Sequence, residues 1–168
     1  TVGNSNVAVG TSALTTDTKG DQSVAIGINT LQTQNFTTST DAHNVAVGAE
    51  AGNDITTGQY NNILGGLAGD NLTTGNKNVA IGFDALGAGT TYDGNVAIGH
   101  EALKVANVTS GADGNNIAIG ADAASAVTTT LRSIMIGISC AASLRTGTDN
   151  IIIGKGADTD GEGETRAI

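Results

Sequence analysis

The sequence has no proline, no tryptophan, one cysteine and only four aromatic residues, two Tyr and two Phe. A chain of 168 residues with so few large side chains cannot fill the core of a conventional compact enzyme domain. The single cysteine, Cys140, excludes a disulfide framework or a Cys-based zinc site within the chain. No apolar run approaches the roughly 20 residues of a membrane span, so we expect no membrane insertion.

Basic residues are also scarce. Seven Lys and Arg stand against 16 Asp and Glu, which gives a net charge of −9 and an isoelectric point near 4.3. Such a chain is repelled by phosphate backbones and by anionic lipid surfaces. We therefore expect no nucleic-acid partner.

Glycine is abundant, at 25 residues, and its positions reveal an internal repeat. The five-residue string Asn-Val-Ala-Val-Gly at positions 6–10 recurs, with small changes, to give nine copies. Their closing glycines are Gly10, Gly27, Gly48, Gly65, Gly82, Gly99, Gly120, Gly137 and Gly154. The copies are 17 residues apart, except for two intervals that carry four extra residues. A period of this length is typical of a solenoid.

Each string has the alternation of a short strand. Val, Ile or Leu lies one residue before the glycine, and Val or Ile lies three residues before it in all copies but one, so these side chains share one face. The position between them is mostly Ala, which makes the other face apolar too, and we expect both faces to be covered. The glycine indicates a corner that needs a positive φ or a close backbone approach.

These features predict an all-β fold, one parallel β-solenoid domain over residues 1–168 with nine coils of about 17 residues and two or three short strands per coil. An Asn or Ser opens every string, and stacked carboxamides in such a column hydrogen-bond along the axis. One coil of small residues encloses a thin core, so we expect an obligate oligomer. Both ends lack a cap pattern, which predicts a piece of a longer fibre.

The strings at 78–82 and 95–99 resemble the head repeats of trimeric autotransporter adhesins. The longer unit, with Phe83-Asp84-Ala85-Leu86 and the Thr73-Thr74-Gly75 ending, is more similar to the repeat shafts of bacteriophage tail fibres. The resemblance covers nearly the whole chain. It implies a left-handed parallel β-roll, a homotrimer around one axis, and an extracellular place on a virion tail fibre or a bacterial cell surface.

We therefore expect a structural and adhesive segment of an extracellular trimeric fibre, with an autotransporter head as the alternative. The two insertions predict receptor-binding loops, because solenoids tolerate extra chain only where it can leave the stack. Their residues are Asn35, Phe36, Thr37, Thr38 and Ser39 in the first, and Asn107, Val108, Thr109 and Ser110 in the second. The expected ligand is a host cell-surface glycan or an outer-membrane protein. Alternatively, the insertions only bulge, or they wrap a neighbouring chain.

No catalytic motif is present, and we expect neither an enzyme nor a cofactor. Cys140 lies three residues after its corner glycine, at a position that is Ala in most other copies, and is interpreted as a structural thiol. His43 and His100 are interpreted as surface or packing residues, with a two-His metal site as the alternative. The carboxylates Glu50, Asp84, Glu101 and Asp122 share one repeat position and indicate a solvated acidic stripe. Asp158, Asp160 and Glu162 mimic the start of a calcium loop, with a flexible acidic turn as the other interpretation.

Two further functions are compatible with single features of the sequence. Thr pairs in several coils suggest an ice-binding solenoid. Adjacent residues of a strand point to opposite faces, however, so each pair offers only one outward hydroxyl. Paired carboxylates raise a polysaccharide-degrading tailspike, although four aromatics give little surface for stacking on sugars.

Overall fold

The computed structural model describes residues 3–106 and 114–159, and within these ranges the chain is a parallel β-solenoid without helices. Nine short strands form one sheet, each paired in parallel with the next, so that they bound about eight turns. The pairing follows the repeat: Ala80 lies beside Ala97 at the regular spacing, and Ala97 beside Ala118 across an insertion. The predicted fold class is confirmed. No helix in the described ranges could cross a membrane.

The strands are β1 (Val7–Val9), β2 (Gly20–Asp21), β3 (Val24–Ile26), β4 (Thr40–Asp41), β5 (Val45–Val47), β6 (Asn62–Leu64), β7 (Val79–Ile81), β8 (Val96–Ile98), β9 (Ile117–Ile119), β10 (Thr129–Leu131), β11 (Ile134–Ile136), β12 (Thr146–Thr148) and β13 (Ile151–Ile153). The large sheet contains β1, β3, β5, β6, β7, β8, β9, β11 and β13, while β2 pairs with β4 and β10 with β12.

Most turns therefore contain one strand, and the prediction of two or three per coil is wrong. The other sides are irregular, yet their backbone still bonds from coil to coil: Asp54 N–H donates to the Asp70 carbonyl and Ala88 N–H to the Lys104 carbonyl, both at 2.8 Å. Since these groups are satisfied without extended geometry, the coil needs strand conformation on one side only.

The corner glycines adopt φ between 130° and 141°, as predicted. A Cβ on Gly82 would lie 2.4 Å from the Gly99 carbonyl oxygen of the next coil. Glycine is thus required by both the dihedral angle and the close approach of backbones.

Three further positions in nearly every coil have positive φ, and most of them are not glycine; Asp158, four residues after the last corner, is the exception. They lie five residues before, two after and four after the corner, as in Lys77, Asp84 and Leu86, with φ of 59°, 55° and 56°. Most of their N–H groups bond to a neighbouring coil, for example Lys77 N–H to the Gln59 carbonyl at 2.9 Å. The stack thus holds residues in a conformation that L-amino acids ordinarily avoid.

The Asn column forms the predicted ladder, which we call the Asn ladder. Asn78 is fully buried; its Oδ1 accepts the Asn95 N–H at 2.9 Å, and its Nδ2 donates to the Tyr92 carbonyl at 2.7 Å. The carboxamide therefore satisfies two backbone groups that no strand pairs. Side-chain contacts between carboxamides are longer, 3.2 Å from Asn95 Nδ2 to Asn78 Oδ1.

Candidate functional site

The outer face of the large sheet is the first candidate site, and it is built from the side chains one and three residues before each corner glycine. We call these two rows the outer columns. Their inward neighbours, such as Ala80 and Ala97, are fully buried, whereas the outward Ile81 in the middle of the sheet is 36% exposed and Val9 and Ile153 on its edge strands are 56% and 64% exposed. Both faces of the strand were expected to be covered, but within one chain only the inner face is.

Seventeen of the eighteen outer-column positions are Val, Ile or Leu, and all eighteen lie in the described ranges. Directly after the corner in three coils, Ile28, Phe83 and Ile138 are also exposed by about half. These side chains form an exposed apolar surface along nine strands, and large contiguous apolar surfaces, beyond the roughly 300–600 Å² of a typical monomer, mark interaction sites. We call it the apolar face. The exposed residues after the corner were not predicted, although their common position in the repeat was the available signal.

The first insertion is the second candidate site. Thr37, Thr38 and Ser39 are exposed, and β4, which follows them, pairs with β2. Phe36 is 5% exposed, so within the single chain this predicted loop residue is buried rather than displayed. Asn35 is exposed beside it.

Contacts with the preceding coil hold this loop. Lys19 Nζ donates to the Thr37 carbonyl at 2.5 Å, and the Ser39 hydroxyl donates to Asp21 Oδ2 at 2.7 Å. That hydroxyl, together with the Asn4 N–H, lowers the pKa of the Asp21 carboxyl. The loop therefore presents a short exposed polar stretch over a fixed base. The second predicted loop, Asn107, Val108, Thr109 and Ser110, lies outside the described residues.

The acidic stripe, formed by Glu50, Asp84, Glu101 and Asp122, is the third candidate site. Lys104 Nζ lies 2.9 Å from Asp84 Oδ2 and 3.1 Å from Glu101 Oε1, and these hydrogen bonds raise the pKa of the Lys104 ammonium. His100 stacks on Phe83 with ring centroids 5.7 Å apart, and its Nδ1 is 3.7 Å from Asp122 Oδ1. The predicted acidic stripe is thus a partly neutralised ion-pair network.

Three potential metal-ligand atoms, one each from His100, Glu101 and Asp122, lie within 4.8 Å of one another. A divalent ion could use this set, but the Lys104 ammonium already occupies the same Glu101 oxygen. His43 lies elsewhere, stacked on Tyr60 with centroids 5.3 Å apart. His43 and His100, the two ligands of the alternative metal site, therefore contact different residues and not each other.

The remaining predicted residues have structural contacts. Cys140 is fully buried, and burial raises the pKa of its thiol, the opposite of what a nucleophile needs. Asp158 accepts N–H groups from Ser143 and Thr159, at 2.7 Å and 2.9 Å. Asp160 and Glu162, the other members of the calcium hypothesis, lie outside the described residues.

The Thr pairs divide as expected. The first member, as in Thr56 and Thr73, donates its hydroxyl to a carbonyl of the next coil, at 3.1 Å and 2.8 Å. The second member, as in Thr57 and Thr74, is exposed. Each of these coils therefore exposes one Thr hydroxyl, and not the two side by side that a flat ice-binding face would use.

Two buried polar residues were missed by the sequence analysis. Ser23 interrupts the Asn ladder, and Gln34 fills the gap: its Oε1 accepts from Asn44 Nδ2 at 2.8 Å, and its Nε2 donates to Ser23 Oγ at 3.2 Å. Tyr92, fully buried, donates its hydroxyl to the Thr128 carbonyl at 3.0 Å. The available signal for both was their repeat position, because other coils have mostly apolar residues where Gln34 lies and mostly glycine where Tyr92 lies.

Comparison with protein-family models, with curated proteins and with solved structures gives no match to this chain.

Proposed function

We propose that the chain is a structural and adhesive part of an extracellular homotrimeric fibre, in which copies of the chain cover each other's apolar faces and the first insertion contacts a host surface. The observation that carries this is the continuous apolar face along nine strands, on a chain whose net charge is −9. Charged side chains lie on the other sides of the coil, and the apolar face has almost none.

Burial of this face supports the assembly energetically. A standard stable interface buries roughly 800 Å² on each partner, and the apolar face runs along all nine strands of the large sheet. Its rows repeat at about 4.8 Å per coil, so copies of the same surface match each other in spacing. The resemblance to trimeric autotransporter heads and tail-fibre shafts favours three copies.

The assembly is tested by sedimentation velocity and by circular dichroism. The unmodified chain should sediment as a trimer. Ile81→Lys combined with Ile98→Lys places charge in the outer columns and should abolish the trimer. Thr57→Lys combined with Thr74→Lys adds the same charge at exposed positions off this face and should leave the trimer intact. A folded monomer of the unmodified chain would overturn the proposal.

Adhesion is tested on the first insertion. Deleting the four residues 36–39 restores the 17-residue period and removes both the exposed stretch and the buried Phe36. A matched variant, Thr37→Ala with Thr38→Ala, keeps the loop and removes only its outward hydroxyls. The proposal expects trimers that no longer attach to a panel of bacterial surfaces. Full attachment by both trimeric variants would remove the first insertion from the receptor site and leave the fibre role standing.

The source of the fibre follows from its neighbours in the gene. A coiled-coil stalk and β-barrel anchor C-terminal to the repeats would assign it to an autotransporter. A virion-attachment segment or a chaperone domain would assign it to a tail fibre, which the 17-residue unit favours.

A further inference from the structure

Asn62 is the one polar residue in the outer columns. It takes the position that is Val or Ile in the other eight coils, between Val45 and Val79 in the parallel register. Its side chain is exposed, and its carboxamide has no hydrogen-bond partner among the described residues. Its backbone is regular, since its N–H donates to the Asn78 carbonyl at 2.8 Å. The polar side chain is therefore not needed by its own coil.

A solenoid of nearly identical coils has a register problem when it self-associates. Sliding one copy by one coil, about 4.8 Å, places Val or Ile against Val or Ile again, so the apolar face alone hardly distinguishes one register from the next. A single buried polar residue removes such degeneracy in coiled coils, because it is satisfied only beside its counterpart.

We infer that Asn62 fixes the axial register of the assembly by pairing with Asn62 of the other copies. This rests on the proposed self-association through the apolar face. A carboxamide has both donors and an acceptor, so copies of Asn62 at one level can satisfy each other. Any slipped register buries each Asn62 against an apolar side chain, and an unpaired buried amide is costly.

Disulfide trapping tests the register. Val45→Cys and Val79→Cys chains, distinguished by a mass tag and with Cys140→Ala to remove the native thiol, are co-expressed and oxidised. The two positions are two coils apart, about 9.6 Å along the axis, beyond the roughly 7 Å limit for a disulfide. In register, 45–45 and 79–79 links form and 45–79 links do not.

Asn62→Val should keep or tighten the trimer and raise the 45–79 fraction about tenfold or more, since slipped registers lose their penalty. Adding Val96→Asn to Asn62→Val moves the polar level by two coils and should suppress the 45–79 links again. This rescue separates a register role from general stabilisation, because a merely structural Asn62 would gain nothing from an Asn in another coil.

Sedimentation of the same samples separates the two ideas. A trimer with 45–79 links while Asn62 is present, a trimer with no 45–45 links, or an unchanged pattern in Asn62→Val would each overturn the register inference and leave the trimer proposal standing. A monomer would overturn both. Links between 45 and 79 in a dimer would instead mean antiparallel copies centred on Asn62, which contradicts the parallel fibre.

Discussion

The side chain of Ile63 fills the space in the core that Gly69 leaves open. Its Cδ1 lies 3.1 Å from the place that a Cβ on Gly69 would take, and 3.2 Å from the corresponding place on Gly52 of the preceding coil. In the next coils the same column holds Leu86 and Leu103, and the inner strand position is then Ala. Core volume is therefore conserved by pairing a large residue with a small one.

This pairing predicts strong coupling between the two positions. Ile63→Ala should lower the free energy of unfolding by about 2–5 kcal/mol through a cavity. Gly69→Leu should lower it by about 1–3 kcal/mol through overpacking. Ile63→Ala with Gly69→Leu reproduces the packing of the next coil on the Gly69 side but leaves the space beside Gly52 open, so it should recover at least about half of the Ile63→Ala loss, measured by urea unfolding at one protein concentration. Additive losses in the double variant would contradict the pairing.

The Leu residues of that column make this exchange feasible. Gly69 has φ of 53°, and Leu86 has φ of 56° in the equivalent position, so the fold already accommodates Leu there. The backbone strain of Gly69→Leu is thus no greater than that present in the native coil next to it.

The corner glycines predict a different outcome. Gly82→Ala should cost more than about 2 kcal/mol, because it combines a positive φ with a Cβ 2.4 Å from the Gly99 carbonyl oxygen. Gly154→Ala is the matched control: its φ is 135°, but among the described residues its Cβ would meet nothing nearer than Ala157 Cβ at 3.5 Å. The difference between their melting temperatures measures the steric part alone. Equal losses would mean that the dihedral angle, and not the contact, requires glycine.

The repeat period, the strands of the large sheet and the Asn ladder could be predicted from the sequence, because each depends on one residue type recurring in register. The positive-φ positions could not be predicted, since Leu and Lys, as at Leu86 and Lys77, are not residue types that indicate a positive φ. They arise from coil-to-coil hydrogen bonds, which exist only once the stack forms.

The candidate site was predicted less completely. Side-chain periodicity located the outer columns but not which face lies outside: the inner face holds Ala because the coil is thin, and this becomes visible only from the packing around Ala80 and Ala97. The burial of Phe36 was also hidden, since an aromatic residue in an insertion has no repeat partner to compare with.

The Asn ladder predicts a pH-dependent variant. In Asn78→Asp, a carboxylate oxygen replaces the Nδ2 that donates to the Tyr92 carbonyl at 2.7 Å, while the other oxygen still accepts from Asn95 N–H. The protonated acid can donate to that carbonyl and the ionised acid cannot, so folding raises the pKa of the new carboxyl above its unfolded value near 3.9. The variant should be nearest to normal stability below about pH 4 and should lose stability as pH rises through the folded pKa. Asn78→Leu, which has no titrating group, serves as control in urea unfolding from pH 4 to 8, and a parallel pH profile for both variants would contradict the account.

Tyr92 predicts the alkaline limit of the fold. Burial raises its pKa from 10.0 to about 12, because a phenolate would lose hydration and could no longer donate to the Thr128 carbonyl at 3.0 Å. Its folded pKa lies above its unfolded pKa, so this contribution is fully present below pH 10 and is lost as pH rises through 12. Tyr92→Phe removes that pH dependence while keeping most of the packing, and the two proteins should differ most below pH 10 and converge above it. The difference between absorbance titrations of the unmodified chain and of Tyr92→Phe isolates the Tyr92 phenol, which should ionise well above pH 10 in the folded protein. Ionisation of the Tyr92 phenol at pH 10 in the folded protein would contradict its burial.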